Sequence, residues 1–370
     1  MDSALLGGAT PAHFLRRYWQ KRPLLVRGAI RGFEGLLPAR ALFALAGRDD
    51  VESRLVMRER GRWTLAHGPF RRADFRALPR RNWTLLVQGL NMHLEAADAL
   101  LQRFAFVPFA RLDDVMVSYA APGGGVGPHC DSYDVFLLQG NGRRRWRIGR
   151  QCDLALKPGL PLKILARFRP EQEWILGPGD MLYLPPKIAH EGVAIDACIT
   201  YSIGFRAASA QELATAFLDW LRDKIDLHGR YSDPGRAPAT SPARIDRRLQ
   251  DYAMATLRRL RWDERSIARF LGSYLSEPKP TAIFAPRTPP GRTRFIRHAG
   301  RRGVRLDSRT RLLYDESNLY INGEALAWPA DRRRMLRRLA DARRLAPTEI
   351  DARIASLLYR WYCDGFLDFD

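Results

Sequence analysis

A chain of 370 residues can bury two or three cores, and its apolar (46%) and aromatic (10%) content is that of a globular protein rather than a disordered or fibrous one. No apolar run approaches the ~20 residues that span a bilayer, Met1-Asp2-Ser3-Ala4-Leu5-Leu6 lacks the basic and long apolar stretches of a secretory signal, and Cys130, Cys152, Cys198 and Cys363 show neither CxxC spacing nor a secreted framework, so a reducing cytoplasm is expected. The net charge of +21, carried almost wholly by arginine, attracts polyanions and keeps acidic partners near.

In chain order, the first chemistry lies after Ser118. The run Gly123-Gly124-Gly125-Val126-Gly127 lacks the Lys-Ser/Thr ending of a phosphate loop and opens no helix, so it reads as close backbone approach at a barrel rim. Next come His129 and Asp131, two residues apart, followed by the apolar stretch Tyr133 to Leu138. A strand beginning near His129 projects both side chains to one side, with Tyr133 on the same parity and Cys130 on the opposite one. Gln139-Gly140-Asn141-Gly142 predicts a hairpin turn. On the return strand, Arg144 shares a face with Trp146 and Ile148, while Arg143, Arg145 and Arg147 share the other. A guanidinium on the core face needs an anionic partner, which one carboxylate of a dicarboxylate co-substrate would supply; the alternative is that all four arginines face solvent or nucleic acid. A second strand signal, Asp180 to Leu184, precedes His190. Two imidazoles and one carboxylate make the facial triad of a non-haem Fe(II) oxygenase, which leaves three coordination positions open. The last strand, Ala197 to Phe205, has Ile199, Tyr201, Ile203 and Phe205 on one face; Thr200 and Ser202, with Ser118, are candidates for hydrogen bonds to a bound carboxylate.

These residues resemble the bacterial JmjC-type ribosomal oxygenases, most closely those that hydroxylate an arginine of the large-subunit ribosomal protein L-sixteen. The segments that carry the resemblance are Tyr18 to Leu25, Pro122 to Phe136, Gly142 to Trp146, Pro185 to Gly192 and Tyr201 to Ala207. It implies a cupin (double-stranded β-helix) fold using Fe(II), 2-oxoglutarate and O2, with His129, Asp131 and His190 as iron ligands and Arg144 as the 2-oxoglutarate clamp. It also implies that Asp114, Met116 and Tyr133 receive the substrate arginine, Asp114 by pairing and Tyr133 by stacking. The chain departs at Ala120, where relatives can carry a hydroxyl, and at Thr200, where some carry an amide.

Beyond the barrel, Ser209 and Glu212 make a capping box for a helix to His228. Gly229 to Thr240 reads as a linker, a second helix opens at Ser241-Pro242, and a third spans Ser266 to Leu275. Their apolar stripes, together with the resemblance, imply a helical dimerisation module and a homodimer. Short strands at 304–306, 312–314 and 319–321, a turn at Asn322-Gly323, and helices over 331–343 and 348–362 predict a winged-helix-like end. The whole is an α+β chain with an oxygenase domain (1–207), a helical dimerisation region (208–278) and a C-terminal domain (279–370). Residues 281–311 hold nine arginines and one acid, which makes contact with ribosomal RNA an open expectation. Two alternatives to a ribosomal-protein hydroxylase stay open: an RNA hydroxylase of the JmjC class, and a non-catalytic metal-bearing cupin that binds ribosomal RNA.

Overall fold

The computed structural model describes residues 3–286, 291–327, 330–350 and 352–370. The chain divides into two compact units, one of residues 1–207, 278–310 and 334–370, the other of 208–277 and 311–333. No helix among the described residues is long and apolar enough to cross a membrane.

The first unit opens with α1 (Pro11–Arg17), which Thr10 caps by accepting a hydrogen bond from the His13 amide. Then come β1 (Leu24–Val26), α2 (Ala39–Leu45), β2 (Ser53–Glu59), β3 (Arg62–His67), α3 (Arg72–Arg76), β4 (Trp83–Val87) and α4 (Glu95–Gln102). Seven strands follow: β5 (Leu112–Ala120), β6 (Val135–Gln139), β7 (Arg144–Gly149), β8 (Gln172–Leu176), β9 (Met181–Leu184), β10 (Ala189–Ala194) and β11 (Cys198–Phe205). They form an eight-stranded sheet, ordered β1-β9-β6-β11-β5-β4-β2-β3, and a three-stranded sheet, ordered β10-β7-β8. This is the double-stranded β-helix expected from the sequence.

Alternation along the strands decides what each face does. On β11, Ile199, Tyr201, Ile203 and Phe205 join the main apolar core with Phe14 of α1, Phe136 and Tyr183. A smaller core of Val135, Leu137, Trp146, Ile148, Leu176, Leu182, Leu184 and Ile188 fills one end of the barrel. The segment Trp19-Gln20 latches onto the outer face of the large sheet. Trp19 packs edge-on against Phe205 with ring centroids 4.9 Å apart. The Gln20 side chain donates to buried Asp134 (3.0 Å), which also accepts from the Tyr183 hydroxyl (2.6 Å). A buried carboxylate is tolerated because these donors replace its water.

Two strand boundaries differ from expectation. The strand after His129 begins only at Val135. Gly127 is left-handed (φ +79°), Pro128 lacks an amide donor, and Asp134 turns its side chain into the Tyr183–Gln20 network, so the chain bends before it pairs. Conversely, His190, which the Asp180 to Leu184 signal followed by Pro185-Pro186 places at a strand end, sits inside β10, which runs antiparallel to β7. Gly192 hides this strand from propensity. A side chain there would meet the Trp146 ring at 2.7 Å, so only glycine lets the strand lie on the indole.

In the second unit, α5 (Ala210–Arg222) begins with the expected Ser209–Glu212 capping box. It stops at Asp223, short of His228, where Asp223 and Asp226 would place negative charge at the negative end of the helix dipole. α6 (Arg247–Leu257) starts at an Asp246 cap rather than at Ser241, and α7 (Glu264–Ser276) is capped by Asp263. In the first unit follow α8 (Arg292–Arg302) and β12 (Val304–Leu306). The meander β13 (Leu312–Tyr314), β14 (Asn318–Ile321) and β15 (Glu324–Ala327) packs on α7, where Tyr320 covers Gly272. Asn322 (φ 49°) and Gly323 (φ 90°) supply the tight turn between β14 and β15. The chain ends with α9 (Arg333–Ala342), β16 (Arg344–Leu345), α10 (Ala352–Cys363) and β17 (Leu367–Phe369), with β12 central in the sheet β16-β12-β17.

Candidate functional site

The two sheets of the barrel enclose a cavity of about 250 Å³. Alternate residues of each strand line it: Arg54 and Val56 on β2, Asp114, Met116 and Ser118 on β5, Arg144 and Trp146 on β7, His190 and Gly192 on β10, and Ser202 and Gly204 on β11. Period-two geometry thus converts these five separate stretches of sequence into one wall.

His129, Asp131 and His190 meet at the mouth of this cavity, each with a ligand atom within 4.8 Å of the others. Nε2 of His190 lies 3.5 Å from Asp131 Oδ2, and Nε2 of His129 lies 3.9 Å from Asp131 Oδ1. The two histidines are bridged backbone to backbone, each amide donating to the other's carbonyl at 2.9 Å. This pairing, rather than one continuous strand, brings the ligands together. The rim glycines make it possible. A side chain at Gly125 would fall 2.5 Å from the Gly192 carbonyl oxygen, and one at Gly124 only 2.2 Å from that of Trp83.

The histidines are oriented for a metal. Nδ1 of His129 is 3.0 Å from the Gly127 carbonyl, and Nδ1 of His190 is 2.9 Å from that of Ile188. With Nδ1–H donated to a carbonyl, Nε2 keeps its lone pair toward the cluster, the arrangement typical of ligating histidine. Burial, and His129 beside it, push the imidazole of His190 well below its ordinary pKa, so it stands neutral and ready to ligate. Cys130 stays outside the cluster, its thiol 3.9 Å from the Lys187 carbonyl.

On β7, Arg144, Trp146 and Ile148 are buried whereas Arg145 and Arg147 are only half-buried; within the cavity Arg144 is only 5% exposed. Its Nη1 reaches the Ser118 hydroxyl at 3.4 Å, whereas Nε and Nη2 are buried without a hydrogen-bond partner. Arg143 pairs instead with Asp196 (2.8 Å) and Arg147 with Glu191. Ser202 lines the same cavity, but Thr200 does not: its hydroxyl donates to Gln139 Oε1 at 3.0 Å. Asp114 is 2% exposed and Tyr133 is exposed, and with Met116 both face the same space as the triad. Arg54, Gln88 and Lys163 also line it and were not singled out from the sequence. Gln88 carries a readable geometric signal, since it continues the alternation of Thr84 and Leu86. Lys163 comes from a long loop whose sequence shows none.

The site agrees with what similar proteins are. A JmjC domain model matches residues 99–213, and a ROXA-like winged-helix model matches residues 259–368. The ribosomal protein uL16 3-hydroxylase of Escherichia coli is 38% identical over 323 residues, 85% of each chain. The chain belongs to the bacterial JmjC ribosomal oxygenases. A probable ribosomal oxygenase of Haemophilus influenzae is 32% identical to this oxygenase, over 88% of the chain and 84% of the relative. The structure of YcfD, a ribosomal oxygenase from Escherichia coli, in complex with cobalt and 2-oxoglutarate superposes with a TM-score of 0.81, at 32% identity and 98% coverage of both chains. The double-stranded β-helix and the winged helix are therefore family features of this oxygenase.

Proposed function

We propose that this oxygenase uses Fe(II), 2-oxoglutarate and O2 to hydroxylate an arginine side chain of a uL16-type large-subunit ribosomal protein, releasing succinate and CO2. The observation that carries the reading is the buried, half-unpartnered guanidinium of Arg144 in the same cavity as the triad. A charge so placed requires an anion, and a dicarboxylate long enough to reach from triad to guanidinium fits that demand. The relative's complex with cobalt and 2-oxoglutarate supports the choice.

In this reading His129 and His190 hold the iron through Nε2 and Asp131 through its carboxylate. Fe(II) would supply open coordination positions and one-electron redox chemistry, while the net electrons that reduce O2 would come from 2-oxoglutarate and the substrate C–H bond. Arg144 takes the far carboxylate of 2-oxoglutarate, with Ser118 and Ser202 as hydroxyl neighbours. Asp114 pairs with the substrate guanidinium, Met116 packs on its methylenes, and the exposed Tyr133 stacks on its plane. The trp-lined, largely apolar barrel end keeps bulk water from the reacting carbon. Acting on a ribosomal protein implies a cytoplasmic enzyme, in keeping with four free cysteines. Succinate release with a uL16-type peptide, compared with ribosomal RNA, tests the substrate. Stimulation by the peptide is expected. Stimulation by RNA alone would replace this reading with RNA hydroxylation, and no turnover with either would leave a binding cupin.

Two partner contacts belong to the same reading. Leu218, Leu249, Leu257, Trp262 and Ile267 of the helical unit are all exposed, Leu257 by 64%, an unusual load of apolar surface that supports a homodimer through these helices. On α8, Arg294, Arg297 and Arg301 share the face opposite buried Phe295 and Ala299, which supports contact with ribosomal RNA. Sedimentation reads both. The wild type is expected as a dimer at micromolar concentration and Leu257→Asp as a monomer, because the dimer would bury its charge unpaired. An added ribosomal RNA fragment is expected to co-sediment at low salt and to be released as salt rises. A wild-type monomer contradicts the dimer, and salt-independent or absent RNA binding contradicts the second contact.

A further inference from the structure

Asp113 and Asp114 are consecutive on β5, and both line the cavity. Three donors converge on one oxygen of Asp114. Its Oδ2 accepts from Gln88 Nε2 (2.9 Å), from the Gly89 amide (2.9 Å) and from Lys279 Nζ (2.7 Å). Lys279 also lies 3.3 Å from Asp113 Oδ1. Its side chain is 19% exposed, and unlike the two carboxylates it is not part of the cavity lining. The ammonium therefore reaches the pair from behind the wall, 165 residues further along the chain.

Neutral donors alone are poor support for a carboxylate this deeply buried. Taking an ion out of water is costly unless a counter-charge and hydrogen bonds replace the water. Burial and the neighbouring Asp113 both drive the Asp114 carboxyl upward in pKa, and Lys279 is the strongest influence pulling it back, with Gln88 helping. The other charged or titratable groups nearby include Tyr133, which feels the charge of Asp114, Arg206, which donates to Asp113 at 3.5 Å, and Arg54, which lines the cavity and donates to Gln88 Oε1 at 3.3 Å. A protonated Asp114 could not form an ion pair with an incoming guanidinium.

We propose that Lys279 is a positioning residue for substrate capture: it anchors Asp114 from outside the cavity wall, so that the carboxylate is presented as an oriented anion to a cationic substrate side chain. The proposal rests on the reading of Asp114 as the partner of the substrate arginine. Lys279 touches neither substrate nor metal in this scheme; it acts through Asp114.

The test compares K279M, K279R and D114N with the wild type by steady-state kinetics, varying the uL16-type peptide and 2-oxoglutarate separately. K279M is expected to raise the peptide KM about tenfold or more near neutral pH, the scale of a lost charge-assisted hydrogen bond, with kcat and the 2-oxoglutarate KM little changed. Without Lys279 the Asp114 carboxyl stays protonated to higher pH and ionises above its raised pKa. The defect should therefore shrink as pH rises from about 6 to about 9. K279R, which keeps the charge, should retain most of the affinity. Should K279M fail to fold, K279Q carries the same expectation, since it keeps a donor and loses the charge. A peptide KM unchanged in K279M while D114N raises it overturns the role of Lys279 alone. A lower KM in K279M overturns it too, by showing that Lys279 competes with substrate. An unchanged KM in D114N removes the reading of Asp114, and the role of Lys279 falls with it.

Discussion

Asp131→Ala, His129→Ala and His190→Ala are each expected to abolish turnover and lower iron occupancy while the barrel stays folded. In the proposed triad each substitution removes one of three protein ligands, so the loss should exceed the roughly 10–100-fold cost of disturbing an outer partner of a metal ligand. Asp131 is the most telling of the three. It is the one anion of the proposed triad, it sits between the two Nε2 atoms, and its side chain is 22% exposed, so truncation opens no large core cavity. Its thermal midpoint should stay close to wild type. His190 is 3% exposed, and its removal leaves a hole beside Trp146, so a modest loss of stability accompanies the loss of activity there. Fe(II), but not Zn(II), should restore activity to metal-stripped wild type, because redox chemistry with O2 lies beyond zinc. Bound-iron analysis and succinate release check these expectations. Full turnover by Asp131→Ala would show that the cluster is not the catalytic metal site.

Arg144→Met is expected to keep the iron and raise the requirement for 2-oxoglutarate about ten- to a hundredfold or more. Hydrogen bonds to charged groups contribute roughly 1.5–3 kcal/mol, and this guanidinium has two buried nitrogens without partners to offer. Lysine at this position should restore only part of the affinity, since a point charge cannot form the bidentate pair. Arg143→Met is the control. Arg143 is exposed and held by Asp196, so its loss should leave the 2-oxoglutarate KM nearly unchanged. Removing Arg144 also relieves a buried charge, so an equal or higher thermal midpoint without ligand is expected. A 2-oxoglutarate KM unaffected by Arg144→Met would contradict the clamp.

The parts of this molecule that strand periodicity controls were legible in the sequence. The alternation of Arg144, Trp146 and Ile148 against Arg143, Arg145 and Arg147 is a local property, and the structure buries the first set on the core face. The double-stranded β-helix followed from strand signals and the family resemblance together. What resisted reading depends on distant pairing. His129 and Asp131 converge with His190 through a two-residue backbone bridge held open by rim glycines, not through the strand their spacing suggested. β10 was hidden because Pro185-Pro186 reads as the end of the preceding strand and Gly192 weakens the strand signal until the Trp146 ring is seen lying on the glycine. Thr200 and Ser202 share a parity, yet only Ser202 reaches the cavity, because the Gln139 amide engages the Thr200 hydroxyl. Lys279 was invisible for the plainest reason: nothing local to a lysine after a helix announces a carboxylate 165 residues earlier.

The most direct test of the central claim is tandem mass spectrometry of a uL16-type peptide after incubation with the enzyme, Fe(II), 2-oxoglutarate and isotopically labelled O2. The account predicts the gain of one labelled oxygen atom, located on an arginine side chain, with one succinate formed per hydroxylation and no product in the Asp131→Ala enzyme. An unmodified peptide under conditions where 2-oxoglutarate is consumed, or oxygen placed on a residue other than arginine, would contradict it.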